Sequence, residues 1–122
     1  PGLCRDLSRL ARAEFDRMLQ ALGDGLRRWA TGIYLLWHPV KDLRAVAAYE
    51  RGARRVAGDL PCLLVELSVR PRDAGGLIGS GLVIVNPPYG MAEMLEEAGP
   101  WLADALGDPT GAWRMEWLVP PR

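Results

Sequence analysis

Four short segments of strand character, separated by stretches of helical periodicity, constrain this chain more than any other feature of it. From Leu7 to Trp29, apolar residues such as Phe15, Met18, Leu19, Leu22 and Leu26 recur at three- and four-residue steps, which predicts an amphipathic helix. Thr31-Gly-Ile-Tyr-Leu-Leu-Trp37 reads as a strand apolar on both faces, as in the middle of a parallel sheet, with His38 at its end and Pro39 as its stop. Asp42 fits the N-cap of a helix to about Arg55, with Leu43, Val46, Ala47 and Ala53 inward. Gly58-Asp59 and Pro61 turn the chain into a second strand, Cys62 to Val69. Residues 72–80 read as a loop, and Leu82–Val85 as a third strand ended by Asn86-Pro-Pro-Tyr-Gly90. A helix follows from Met91 to Leu106, with Met94, Leu95, Ala98, Leu102 and Ala105 inward and a kink at Gly99-Pro100. In the last segment Trp113, Met115, Trp117 and Val119 alternate with Arg114 and Glu116, the pattern of a half-exposed strand. This order predicts an α/β fold with a mostly parallel sheet and an antiparallel ribbon of 62–69 and 82–85 at one side.

A chain of 122 residues is one small domain at most. Nearly half of it is apolar and a quarter charged, which argues against disorder, and its apolar runs are too short to span a bilayer. The polar, basic opening has no apolar signal core, so a cytoplasmic protein is expected. The start at Pro1 without methionine reads as a processed product or a piece of something longer. Cys4 and Cys62 lie 58 positions apart, and with the single His38 they do not make a metal site; two reduced thiols are expected.

The zero net charge conceals a division. Residues 1–55 carry eleven basic side chains against six acidic ones, and residues 56–122 carry four against nine. Basic side chains recur at Arg5, Arg9, Arg12, Arg17, Arg27 and Arg28 and again at Arg51, Arg54 and Arg55, one reading of which is a face that touches RNA phosphate, with Arg27, Arg28, Arg51, Arg54 and Arg55 as the candidate contacts. The same arginines fit solvated helix faces, because aromatic residues are not interleaved with them.

Asn86-Pro-Pro-Tyr89 at a strand end has the form by which amino-methyltransferases hold a flipped base: side-chain and proline oxygens accept from the exocyclic amine, and the aromatic ring stacks on the base. A methyl-donor pocket also needs a Gly-rich turn after a strand, and Gly79-Ser-Gly81 precedes one. The alternative is a strand stopped by a diproline, with Asn86 closing the turn. Glu93, Glu96 and Glu97 read as solvated helix positions, and no catalytic triad or P-loop is present.

Arg28-Trp29-Ala-Thr-Gly-Ile-Tyr-Leu-Leu-Trp-His-Pro-Val40 resembles the strand that follows the catalytic motif in the RlmJ-type ribosomal RNA adenine N6-methyltransferases. Leu64-Val-Glu-Leu-Ser-Val69, Gly79 to Tyr89, and Glu116-Trp-Leu-Val-Pro120 match in the same order, so that the resemblance covers about 14–120 and leaves 1–13 unlike the family. It implies residues 14–122 to be the C-terminal half of a class I, Rossmann-like methyltransferase domain dependent on S-adenosylmethionine, with large-subunit ribosomal RNA as substrate. In that family the donor pocket and the catalytic Asp-Pro-Pro-Tyr lie upstream, and the later Asn-Pro-Pro-aromatic is a second, non-catalytic copy. Residues 86–89 then correspond to that copy, and spacing from Phe15 places the catalytic aspartate at about Asp6. In the complete enzyme, that aspartate and a proline carbonyl would polarise the flipped adenine amine for attack on the methyl group. The isolated chain is expected to bind no S-adenosylmethionine and to be inactive. The alternative is a non-catalytic module that pairs with another chain, or with itself, through an unpaired sheet edge.

Overall fold

The computed structural model describes residues 2–71, 76–107 and 111–121, with the side chains of 12–71, 76–106 and 111–121. The elements are α1 (Gly2–Arg28), β1 (Tyr34–Val40), α2 (Leu43–Ala57), β2 (Cys62–Ser68), β3 (Gly79–Val85), α3 (Met91–Gly107) and β4 (Ala112–Val119). Their kinds and order follow the sequence periodicities. Asp42 caps α2 as expected, its carboxylate accepting from the backbone N–H groups of Arg44 at 3.0 Å and Ala45 at 3.2 Å.

The sheet itself departs from expectation. Its strand order is β1-β3-β2-β4, and every neighbouring pair is antiparallel, so it is not mostly parallel. β1 and β2 do run in the same direction with α2 crossing between them, but β3 is inserted between the two and pairs with both. The β2–β3 ribbon is present, and it begins at Gly79, inside the segment read as loop. β1 starts at Tyr34 and continues through Pro39, which a strand at the sheet edge tolerates because proline disrupts only an interior ladder. His38 therefore lies within β1, fully buried, and not at a strand end.

One face of the sheet packs under α1 and α2. Phe15 and Leu22 of α1, Val46 and Tyr49 of α2, and Cys62, Leu64, Val83 and Val85 of the sheet form this core. The helices run in the same direction: Phe15 stacks on Tyr49 with centroids 4.6 Å apart, Leu19 meets Gly52, and Val56 lies beside Gly23. Cys62 is a buried free thiol, and the side chain of Cys4 lies outside the described residues.

The other face is only partly covered. There α3 packs Met91, Ala92 and Leu95 on Leu63, Val65 and Ile84. Of the expected α3 stripe, Leu95, Ala98 and Leu102 are half-buried, but Met94 and Ala105 face solvent and the buried positions are Gly99 and Ala103, so the inward face is rotated part of a turn from the expected one. Gly99 is required here, since any β-carbon would collide with the Trp113 indole. Leu35 and Trp37 of β1 point to this face beyond the reach of α3 and are 56% and 59% exposed. Trp29 lies past the end of α1 and is also exposed.

Candidate nucleic-acid interface

Asn86 sits at φ 56°, a left-handed conformation that asparagine adopts more readily than most residues. Its backbone N–H donates to the Pro61 carbonyl at 2.8 Å, and its Nδ2 donates to the carbonyls of Ala30 and Gly32, both at 2.8 Å. Tyr34 Oη donates to the Trp29 carbonyl at 2.7 Å on the same turn. Asn86 thus ties the end of β3 to the entry of β1, and Tyr89 stands in solvent. An amide committed to two backbone carbonyls supports the reading of a structural turn at 86–89.

The interior beneath α2 holds a polar row across the sheet: His38, Gly81, Glu66 and Arg114 occupy successive positions on four strands. A β-carbon at position 81 would strike the His38 ring, so glycine is what lets the imidazole lie over β3. The Glu66 carboxylate is fully buried and accepts from Arg114 Nη1 at 2.9 Å. Arg114 also meets both oxygens of Glu50, at 3.1 and 3.3 Å, and Glu116 Oε2 at 3.0 Å. These partners, the Glu50 hydrogen bond first, hold the guanidinium charged. Burial pushes His38 down to about 4 against the opposing pull of Glu66. Burial also pushes the Cys62 thiol up to about 11. Neither group is poised for acid–base or nucleophilic chemistry near neutral pH.

The sequence-derived site residues separate in space. Asp6 falls on the backbone of α1, with its side chain outside the described residues. Arg28 is exposed at the end of α1. Arg54 turns toward the sheet, its Nε donating to the Leu118 carbonyl at 2.9 Å, and so stitches α2 to β4. Arg27 pairs with Asp24 one turn earlier. Arg51 and Arg55 line the furrow between α1 and α2, which consists of two adjoining hollows of ≈ 520 and ≈ 310 Å³ that share Leu19. The first hollow is rimmed by Arg12, Arg44 and Arg51, with Asp16 among them, over Phe15, Ala45 and Tyr49. Arg27 and Arg55 border the second.

Arg44 lies outside the basic run read from the sequence, and Arg12 belongs to that run without being one of the five candidate contacts. Helical spacing carries the signal for one of them: Arg44, Arg51 and Arg55 fall at i, i+7 and i+11 on one face of α2. Arg12 joins them only because α1 packs alongside.

The fold divides the charge as well. The described side chains of α1 and α2 include eight arginines against four acids, whereas α3 has Glu93, Glu96, Glu97 and Asp104 and no basic residue. The two sets lie on opposite faces of the sheet.

The family profile described as ribosomal RNA large subunit methyltransferase D, RlmJ, matches residues 10–119. A curated relative named ribosomal RNA large subunit methyltransferase J from Haemophilus influenzae is 34% identical over 109 residues, covering 88% of this chain and 38% of the relative. A protein of the same name from Escherichia coli K12 is 30% identical over 117 residues, covering 89% of this chain and 39% of its own length. A crystal structure of a DUF519-family protein from Legionella pneumophila superposes with a TM-score of 0.78 at 23% identity, over 87% of this chain and 39% of that one. The chain therefore spans well under half the length of the relatives it matches. It belongs to the RlmJ family of ribosomal RNA large subunit methyltransferases.

Proposed function

We propose that this RlmJ-family chain forms the C-terminal part of an S-adenosylmethionine-dependent enzyme that methylates adenine N6 in large-subunit ribosomal RNA, in the bacterial cytoplasm. The family match over residues 10–119 carries the reading. The free flank of β1 supports it. Among the described residues β1 pairs only with β3, and Ile33, Leu35 and Trp37 leave apolar surface beside that edge, as a sheet does where further strands and helices complete it.

Among the described residues, neither turn that leads from a strand into a helix offers the methyl donor a site. A donor site of this class needs a Gly-rich turn from a strand into a helix, with free backbone N–H groups. Here β1 enters α2 through Lys41-Asp42, where the Asp42 carboxylate occupies the first N–H groups of the helix. β3 enters α3 through the turn that Asn86 closes onto Ala30 and Gly32. The reading assigns donor binding to the part of the family enzyme that this chain does not span. By the family spacing Asp6 is the nominee for the catalytic aspartate, and Asp6→Asn in the assembled enzyme tests it.

The direct experiment offers labelled S-adenosylmethionine and unmodified ribosomal RNA to the purified chain. No transfer is expected; transfer by the 122 residues alone overturns the division of labour. The second reading, a module that pairs through the β1 edge with another copy, is favoured by the same exposed row. A monomer on size-exclusion chromatography with light scattering removes it.

A further inference from the structure

From the geometry of the α1–α2 furrow we infer a binding site for the phosphate backbone of RNA, with Arg12, Arg44, Arg51 and Arg55 as the contacting groups. The inference rests on the ribosomal RNA reading and locates the substrate on the surface. Four observations converge on it. First, none of these four guanidiniums has an ion-pair partner among the described residues, whereas Arg17, Arg27 and Arg114 all do. Second, Arg44 and Arg55 are eleven residues apart on α2, a span of about 16 Å, longer than a single phosphate requires. Third, the furrow is concave, with its apolar floor of Phe15 and Tyr49 recessed below the arginine rim. Fourth, the acidic helix α3 lies across the sheet, so a polyanion is drawn to one face of the molecule and repelled from the other.

An anionic membrane fits less well. The exposed apolar side chains of β1, Leu35 and Trp37, lie on the opposite face from the arginines and cannot enter a bilayer together with them. Among the described residues that line the furrow Asp16 is the one acid, and it disfavours a fully enclosed anion while leaving the row of arginines free to track a strand. Guanidinium groups bind phosphate oxygens through paired N–H donors without reading the base, so the site positions RNA and does not select sequence.

The test is fluorescence anisotropy of a labelled single-stranded ribosomal RNA oligomer against the full chain over a salt series. With four phosphate contacts, log K is expected to fall with log salt at a slope of about −3. Arg44→Gln with Arg51→Gln should make the slope shallower by about 1.4 and weaken binding about twenty-fold at about 0.1 M salt. Arg17→Gln with Arg70→Gln removes the same charge outside the furrow and should change binding by less than about threefold. Lysine at 44 and 51 should retain most of the affinity, because it keeps the charge, and it excludes a folding defect as the cause of loss. The inference is overturned by equal losses in the two double variants. It is likewise overturned if the chain prefers phosphatidylglycerol vesicles to RNA, or holds inorganic phosphate as tightly as the oligomer. RNA binding is read here without methyl transfer, so a furrow that fails leaves the methyltransferase reading standing, and the converse also holds.

Discussion

His38 is the chain's single histidine, which makes its burial measurable without interference. The ring has no exposed surface, lies 5.0 Å from Tyr49 and 6.1 Å from Phe15 between ring centroids, and shares its row with Glu66 and Arg114. Burial holds it at about 4, against 6.5 for an unperturbed histidine. The folded chain therefore keeps His38 neutral where the unfolded chain takes up a proton, and protons favour unfolding. Stability from this group is complete above pH 6.5 and is lost as the pH falls toward 4. At about pH 4.5 the loss comes to about 2 to 3 kcal/mol, from the separation between about 4 and 6.5 at about 1.36 kcal/mol per pK unit, less the fraction already protonated when folded. The matched variant is His38→Phe, which keeps an aromatic ring under Tyr49 and removes the titration. Urea unfolding at about pH 7 and about pH 4.5 should show the wild type losing about 2 to 3 kcal/mol more than the variant. Other groups contribute to both proteins and cancel in the difference. The Cε1 proton resonance should titrate below about pH 5. Parallel losses in the two proteins, or a resonance midpoint near 6.5, would refute the argument.

Arg114→Met leaves the Glu66 carboxylate buried without its guanidinium, and urea unfolding should register about 3 kcal/mol of destabilisation, at the lower end for a buried pair because Arg114 is 37% exposed. Adding Glu66→Gln should recover more than half of that loss, and strict additivity of the two changes would show that they do not interact. Asn86→Ala removes two hydrogen bonds to Ala30 and Gly32 and places alanine at φ 56°, for an expected cost of about 2 kcal/mol. Asn86→Gly should cost about half as much, because glycine accepts the backbone angle. Equal stability of Asn86→Ala and the wild type by chemical unfolding would remove the structural role given to the motif.

The helix and strand segments were legible because each is set by local spacing. Phe15, Leu19 and Leu22 mark the buried stripe of α1, and Asp42 marks the start of α2, wherever the rest of the chain goes. The inward face of α3 keeps Leu95, Ala98 and Leu102 of the expected stripe but is rotated toward Gly99 and Ala103. Gly99 carries no hydrophobic signal, and it faces inward only because Trp113 of a distant strand rests on it. Pro39 has the local signature of a stop, yet whether proline ends a strand depends on whether that strand lies at an edge. Arg54 and Arg55 are adjacent and chemically identical in sequence, but one is bonded to the Leu118 carbonyl and the other borders the furrow.

By itself the sequence determined which segments are helix and which are strand, the family, and the division of charge between the two halves, since all of these are properties of neighbours along the chain. Tertiary structure alone decided that β3 slips between β1 and β2 and makes the sheet antiparallel throughout. It also placed Arg12 beside Arg44 and left one face of β1 uncovered. Strand partners and furrow walls come from residues tens of positions apart, and their meeting is settled by which apolar faces cover one another, which local periodicity does not encode.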